Sequence, residues 1–274
     1  MTDIFRRDAP SAPVHLPTTG DITLHAIILA GGRGSRLGPL TAGMPKPLLR
    51  LGHFSILEIT LLRLRACGFS RVTLCVSYLG DMIRRNFGDG GRLGLSIDYC
   101  WDRTPLGTAA PLLLVPEWDT PALVLNGDVL TSLDFSSVMA SHRRNGGLMT
   151  VATHQSEVPV DFGVLDITDG RVRGIQEKPR IPIDVAAGIQ VIDPAVRDYL
   201  PDDGQLDMPT LVAALITEGQ EVFAHSFNEP WHDIGTPSSY EAARMAFLVD
   251  PARYVPSDLP GTDAEAAPRE VADA

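Results

Sequence analysis

The chain has 274 residues, is 44% hydrophobic and carries a formal net charge of −11 at pH 7. That is enough apolar material for a full core in one domain or two, and the acidic balance argues against a general nucleic-acid binder, which would show a basic face. No apolar run approaches the roughly 20 residues of a membrane span, and the N-terminal stretch has no apolar h-region, so it does not read as a secretory signal.

Residues 1–20 and 251–274 are rich in Pro, Ala and acidic residues without helical or strand period, and are expected to be flexible tails. Between them, "HAIILA" (25–30) is short and wholly apolar, which suits a central parallel strand. Apolar residues recur at helical spacing from Ser55 to Gly68 (Ile56, Ile59, Leu62), and a β-branched strand follows at 71–77. A helix over 78–88 stopping at Gly88, strands at 95–100 and 121–128, and a short helix around 108–114 complete the first half. This alternation predicts an α/β fold with a doubly wound, mostly parallel sheet and helices on both faces. After about 150 the pieces are mostly strands ("LMTVATH", "FGVLDI", "RVRGIQE", "DVAAGIQVI"), with helices returning at 207–218 and 236–249. No internal repeat is visible, so a solenoid or appended β-helix is excluded. The two halves, about 21–150 and 151–250, are expected to share one core as a single domain over 21–250. Cys67, Cys75 and Cys100 lack metal-ligand spacing and leave one thiol unpaired in any disulfide scheme. Reduced, buried, structural thiols in a cytoplasmic protein are expected.

The stretch "AIILAGGRGSRLGPLTAGMPKPLL" (Ala26–Leu49) combines bare backbone with fixed positive charge. Glycine lets main chain approach a ligand, and successive N–H groups at a helix start attract phosphate oxygens. A Walker A loop is ruled out because no Lys-Ser or Lys-Thr follows Gly38, and a dinucleotide fingerprint lacks its third glycine. A sharp turn needing glycine for geometry alone would not require Arg36 or Lys46. Pro45 and Pro47 stiffen the chain on both sides of Lys46, which holds its ammonium at little ordering cost.

"LAGGRGSRLGPLT" followed by "PKPLL" resembles the signature of the sugar-1-phosphate nucleotidylyltransferases, or NDP-sugar pyrophosphorylases, and in motif the mannose-1-phosphate guanylyltransferase-like members. The resemblance continues through "TPLGTAAPL", "LVLNGDVL", "FGVLDI", "QEKP" and "WHDIGTP", in the family's order, across roughly 25–248. It implies a Rossmann-like sheet of the nucleotide-diphospho-sugar transferase type, with a nucleotide half followed by a sugar half. It also implies that a sugar 1-phosphate oxygen attacks the α-phosphate of a nucleoside triphosphate and releases pyrophosphate.

By that resemblance Leu29, Ala30, Gly31, Gly32, Gly34 and Ser35 cradle the triphosphate, Arg36 meets the departing pyrophosphate, and Lys46 approaches the α-phosphate. Asp128 and Asp233 hold Mg²⁺, a cation that takes hard oxygen ligands and bridges phosphates. Read alone, Asp128 is equally a turn aspartate and Asp233 equally the N-cap of the helix at 236. Gly163, Glu177, Lys178 and the position of Ala186 belong to the sugar-phosphate site. Many relatives carry asparagine where this chain has Ala186, which implies either an altered acceptor, such as a larger sugar or a cyclitol phosphate, or weakened catalysis; the retention of Arg36, Lys46, Asp128, Lys178 and Asp233 favours an active enzyme with an altered substrate.

Asp102, Pro105, Gly107 and Thr108 are expected at the nucleobase. An ionised carboxylate only accepts hydrogen bonds, and guanine presents two adjacent donors, so GTP is the favoured nucleotide; an exposed loop aspartate is the competing reading of Asp102. Uridylyl, thymidylyl or cytidylyl transfer, and a non-catalytic sensor of NDP-sugars, are the alternatives. The expected partners are a nucleoside triphosphate and a sugar 1-phosphate, with no nucleic acid and no membrane. A homo-oligomer is compatible with the resemblance, but no residue fixes the subunit number. Trp101 and Trp231 are read as packing residues beside the motifs.

Overall fold

The computed structural model describes residues 23–102, 106–116, 118–201 and 204–256. The expected N-terminal tail, Pro105 and most of the expected C-terminal tail therefore lie outside the described residues.

In chain order, β1 (Leu24–Leu29) is followed by a 3-10 turn at Ser35–Thr41, β2 (Arg50–Leu51), β3 (Phe54–Ser55), α1 (Ile56–Ala66), β4 (Phe69–Val76), α2 (Gly80–Phe87) and β5 (Ser96–Trp101). Then come β6 (Ala122–Asn126), β7 (Val129–Thr131), α3 (Phe135–Asn145), β8 (Met149–Pro159), β9 (Gly163–Thr168) and β10 (Arg171–Glu177). The chain continues with β11 (Arg180–Ile192), α4 (Met208–Thr217), β12 (Val222–Phe227), β13 (Trp231–Asp233), α5 (Pro237–Val249) and α6 (Pro251–Tyr254).

Seven strands form the central sheet in the order β12-β8-β11-β6-β1-β4-β5. β1 runs parallel to β4 and β6, β4 to β5, and β12 to β8, while β11 is antiparallel to both neighbours. The unbroken apolar run of β1 has a simple cause. Successive strand residues face opposite sides, and both sides are covered. Ala26 and Ile28 join a core with Leu57 and Leu61 of α1, whereas Ile27 joins a second core with Leu211 and Leu215 of α4. Helix starts follow from local chemistry. Ser55 caps α1 by accepting the Glu58 N–H at 3.2 Å, and Asp134 caps α3 by accepting the Ser136 N–H at 2.9 Å.

Strand order reverses at β1, which sends the chain to β4 on one side and receives β6 on the other. The crevice beyond the carboxyl ends of β1 and β6 is where such sheets hold ligands. The two ends are laced together there: the Gly127 N–H donates to the Leu29 carbonyl at 2.9 Å, and a Cβ at Gly127 would stand 3.2 Å from that oxygen.

Three expectations change. The helix expected at 108–114 is a 3-10 segment, Ala110–Leu114. The folded unit does not end at 250, because Pro251–Tyr254 is helical and Tyr254 is only 2% exposed, its ring 6.0 Å from that of Phe247. β8 and β11 extend well beyond their apolar halves as a paired ribbon, Arg180 opposite Pro159, which carries the hairpin β9–β10. The outer ribbon lies away from the core, and its apolar residues Val158, Ile181 and Ile183 stay exposed, so burial did not mark its full length.

Candidate active site

The glycine loop leaves β1 at Ala30, whose N–H donates to the Cys75 carbonyl at 2.8 Å and so continues the sheet pairing. Beyond Gly34 the chain turns into the 3-10 segment with Leu37 fully buried and Ser35 and Arg36 exposed. Thr41 fastens the loop: its hydroxyl donates to the Gly34 carbonyl at 2.9 Å. A Cβ at Gly34 would lie 3.0 Å from Thr41 Cγ2 and 3.3 Å from Lys46 Cβ. The loop therefore rests against Lys46, and any larger residue at Gly34 would push them apart.

Lys46 opens a short 3-10 turn between Pro45 and Pro47 and is 7% exposed. Its ammonium makes an ion pair with Asp128 Oδ2. Asp128 follows the Gly127 contact described above, in the turn between β6 and β7. β13 pairs antiparallel with β7, setting Asp233 opposite Val129, and the Ile234 N–H donates to the Asp128 carbonyl at 3.1 Å. Two carboxylates distant in sequence thus become neighbours. Withdrawal from water, and then the charge of Asp128, raise the Asp233 carboxyl above the usual carboxylate range; Lys46 and Arg36 pull the other way. Arg36 lies over Gly235, where a Cβ would stand 3.3 Å from its guanidinium. Asp233 does not cap α5. Thr236 does, in a reciprocal box with Ser239.

Asp128 Oδ1 is buried and has no hydrogen-bond partner. An orphaned carboxylate oxygen costs desolvation energy unless a ligand meets it. With Asp233 beside it, the donor set is oxygen only, which fits a hard divalent cation of the Mg²⁺ type. Among the described residues no third His, Cys, Asp or Glu completes a metal cluster. Mg²⁺ sites characteristically leave those positions to water and phosphate oxygens.

The expected sugar residues divide. Ala186 lies on β11 opposite Thr153, beside an irregularity that runs to Gln190. The same segment reaches the centre, because Gly188 sits against the Asn126 amide at the end of β6. Gly163, Glu177 and Lys178 are instead on the exposed β9–β10 hairpin, with Gly163 paired to Glu177. Lys178 has φ 47°, a left-handed conformation uncommon for a residue with a side chain and disfavoured before proline. The turn is held by the Val160 N–H, which donates to the Pro179 carbonyl at 3.0 Å.

A sequence profile described as nucleotidyl transferase matches residues 25–249. The chain belongs to the nucleotidyl transferase family. The chain is 32% identical over 234 residues to the mannose-1-phosphate guanylyltransferase catalytic subunit beta of Xenopus tropicalis, covering 82% of the chain and 65% of that protein. It is 33% identical over 223 residues to mannose-1-phosphate guanylyltransferase of Mycobacterium tuberculosis, covering 78% and 62%. It is 31% identical over 243 residues to UTP–glucose-1-phosphate uridylyltransferase of Synechocystis, covering 81% and 63%. The chain thus spans between 62% and 65% of the length of these relatives. A Bacillus anthracis crystal structure described as a glucose-1-phosphate thymidylyltransferase superposes with a TM-score of 0.67 at 25% identity, covering 82% of this chain and 95% of that one. HddC from Yersinia pseudotuberculosis, at a TM-score of 0.64 and 22% identity over 82% of this chain and all of the other, shares the fold.

Two features of the site were not anticipated from sequence. Trp231 is more than packing: its indole N–H donates to the Ala187 carbonyl at 2.9 Å, and its ring stacks on His154 with centroids 5.6 Å apart. Since Trp231 lies two residues before Asp233 on β13, this bond ties the Ala186 segment to the carboxylate pair; the i, i+2 spacing was the available signal. The second concerns Gly107 and Thr108, which pack against the start of α4. The Asp207 carboxylate accepts from the Thr108 N–H at 3.1 Å and from its hydroxyl at 3.3 Å. Asp102 is half-buried, and its Oδ2 accepts the Leu106 N–H at 3.2 Å. That bond gives Asp102 a role in shaping its own loop.

Proposed function

We propose that this chain is a sugar-1-phosphate nucleotidylyltransferase, with GTP and a sugar 1-phosphate as substrates. The observation that carries the proposal is the meeting of Lys46, Arg36, Asp128 and Asp233 beside the glycine loop, at the carboxyl ends of β1 and β6. The reaction joins two anions, so charge must be neutralised and the nucleophile aligned with its leaving group; little else is asked of side chains. A sugar 1-phosphate oxygen attacks the α-phosphorus. The bond from that phosphorus to the β-bridging oxygen breaks, and pyrophosphate departs with the electron pair. The nucleophile is already anionic near neutral pH, so no general base is needed.

In this reading the loop N–H groups from Gly31 to Ser35 hold the triphosphate, and Arg36 meets the charge that builds on the leaving pyrophosphate. Lys46, fixed by its prolines and steered by Asp128, offsets charge at the α-phosphate. Asp128 and Asp233 would hold Mg²⁺, which supplies Lewis-acid neutralisation of the phosphate oxygens. Glu177 and Lys178 serve the sugar phosphate from the hairpin. Nucleoside triphosphates are intracellular reagents, which agrees with the free thiols of Cys67, Cys75 and Cys100 and with a cytoplasmic site of action.

The guanine choice rests on the acceptor carboxylate of Asp102 and on the guanylyltransferase relatives. Uridylyl transfer is the second reading, supported by the Synechocystis relative and by the engagement of Asp102 within its loop. Pyrophosphate release, measured with five nucleoside triphosphates (GTP, ATP, CTP, UTP, dTTP) against a panel of sugar 1-phosphates in Mg²⁺, tests both. Preference for GTP supports the first reading and preference for UTP the second. Tight NDP-sugar binding without turnover would instead mark a sensor and sink the catalytic proposal.

A further inference from the structure

The geometry points to Asp207, at the start of α4, as a positioning residue that sets the nucleobase loop 106–110 and thereby the affinity for the nucleoside triphosphate. The inference rests on the proposed function, which puts the nucleobase at this loop.

The contact is dense. The Leu206 N–H donates to the Leu106 carbonyl at 2.9 Å, and the Leu206 carbonyl accepts from the Ala109 N–H at 2.8 Å and the Ala110 N–H at 3.2 Å. Asp207 Oδ1 receives both donors of Thr108, its N–H and its hydroxyl. The Thr108 hydroxyl oxygen in turn accepts the Met208 N–H at 2.8 Å, so it caps the first turn of α4. Asp207 stands at the N-cap position of α4, yet its own side chain makes no bond to that helix. Serine, threonine and aspartate at this position ordinarily cap their own helix. Here the carboxylate points across to the loop, and the loop returns the cap.

Two consequences follow for the nucleotide. Thr108 spends its N–H and its only hydroxyl hydrogen on Asp207 and one lone pair on Met208, so it has no donor left for a base. Gly107 runs so close to the clasp that a Cβ would stand 2.6 Å from the Leu206 carbonyl oxygen and 2.8 Å from Asp207 Oδ1. At its front end the loop is held by Asp102, through the Leu106 N–H. A carboxylate before it and a carboxylate behind it fix its position, the second of them carried by a helix packed in the same core as β1.

The test uses the full chain. Asp207→Ala loses both acceptor contacts, while Asp207→Asn keeps Oδ1 as an acceptor. Asp134→Ala, which removes a comparable cap from α3, serves as the control for a general loss of stability. Steady-state kinetics with the preferred triphosphate and sugar 1-phosphate, together with amide hydrogen exchange over 106–112 without substrates, are measured on all of them. Asp207→Ala should raise the KM for the triphosphate about tenfold, with kcat and the sugar-phosphate KM within about twofold, and should speed exchange in the loop. Asp207→Asn should stay within about threefold of wild type, and Asp134→Ala should leave the triphosphate KM unchanged. Unchanged exchange in Asp207→Ala overturns the clasp. Faster exchange with an unchanged triphosphate KM overturns its role in binding. A wild-type chain with no turnover of any triphosphate, yet with faster exchange in the variant, overturns the proposed function and leaves only a structural clasp.

Discussion

Replacing Lys46 by methionine separates two roles that the structure superimposes on one side chain. Lys46 is the counter-ion of Asp128, and it is also the cation proposed to face the α-phosphate. Loss of one partner of a fully buried ion pair costs about 3–5 kcal/mol, because the other charge is left unpaired. The Asp128 side chain keeps 23% exposure and can relax toward water, so about 2 kcal/mol is expected here. For a domain of this size that lowers Tm by about 4–8 °C. The kinetic loss is larger. A unit charge about 4 Å from a reacting phosphate, at an effective dielectric constant of about 20, is worth about 4 kcal/mol, or roughly a thousandfold in rate. Adding Asp128→Asn removes the orphaned charge, so the double variant should recover much of the Tm while staying slow. Calorimetry and the kcat/KM for pyrophosphate release read the two effects separately. If Lys46→Met melts several degrees lower yet turns over within about tenfold of wild type, Lys46 is a structural counter-ion and its catalytic role is refuted.

Other outcomes follow from the same geometry. Saturating Mg²⁺ at about ten times its dissociation constant should stabilise the wild type by about 1.4 kcal/mol, and Asp233→Asn should abolish the shift in a thermal melt. The Asp233 carboxyl is raised in the fold, and a cation favours its ionised form. The Mg²⁺ effect should therefore be full above that raised value and fade as pH falls through it. Gly107→Ala should destabilise by about 2 kcal/mol, since φ is 85° and the new methyl meets Leu206, and a fall in the urea midpoint will register it. Burial, then the charge of Arg71, lower the pKa of His25 from 6.5 to about 4. The unfolded chain binds the proton first, so stability should drop by about 3 kcal/mol between pH 6.5 and about 4. His25→Gln should flatten most of that slope in urea titrations, the buried His142 supplying part of the rest.

What the sequence made legible follows from where burial writes a pattern. β1 was readable because both of its faces are covered, which forces an unbroken apolar run. Lys46 was readable because two prolines announce a fixed backbone around it. The pairing of Asp128 with Asp233 came only through resemblance, since no local period connects a turn after β6 to a short strand before α5. The outer ribbon of β8 and β11 was not legible although Ile181, Ile183 and Val185 alternate, because Pro159 and Pro182 interrupt the pattern and the two strands pair with each other away from the core, and the part played by hairpin β9–β10 was carried by the "FGV" and "EKP" motifs alone. Tyr254 was lost among Pro and Ala, yet one buried aromatic against Phe247 extends the folded unit. That the Asp207 carboxylate turns away from its own helix toward Thr108 is a tertiary fact no one-dimensional pattern records.

In the proposed reaction, cations and a carboxylate-held metal, set beside a main-chain cradle, let two phosphates join. Phosphorus-31 spectroscopy of the wild-type chain in Mg²⁺, with the nucleoside triphosphate and sugar 1-phosphate that the panel selects, is the decisive measurement. The sugar-phosphate and triphosphate resonances should decline together, while those of a sugar-linked diphosphate and of pyrophosphate grow in equal amounts, and chelation of the metal should stop all four changes. Growth of inorganic phosphate or nucleoside diphosphate with the sugar phosphate untouched would contradict it, because hydrolysis without transfer means the two phosphates never meet in this site.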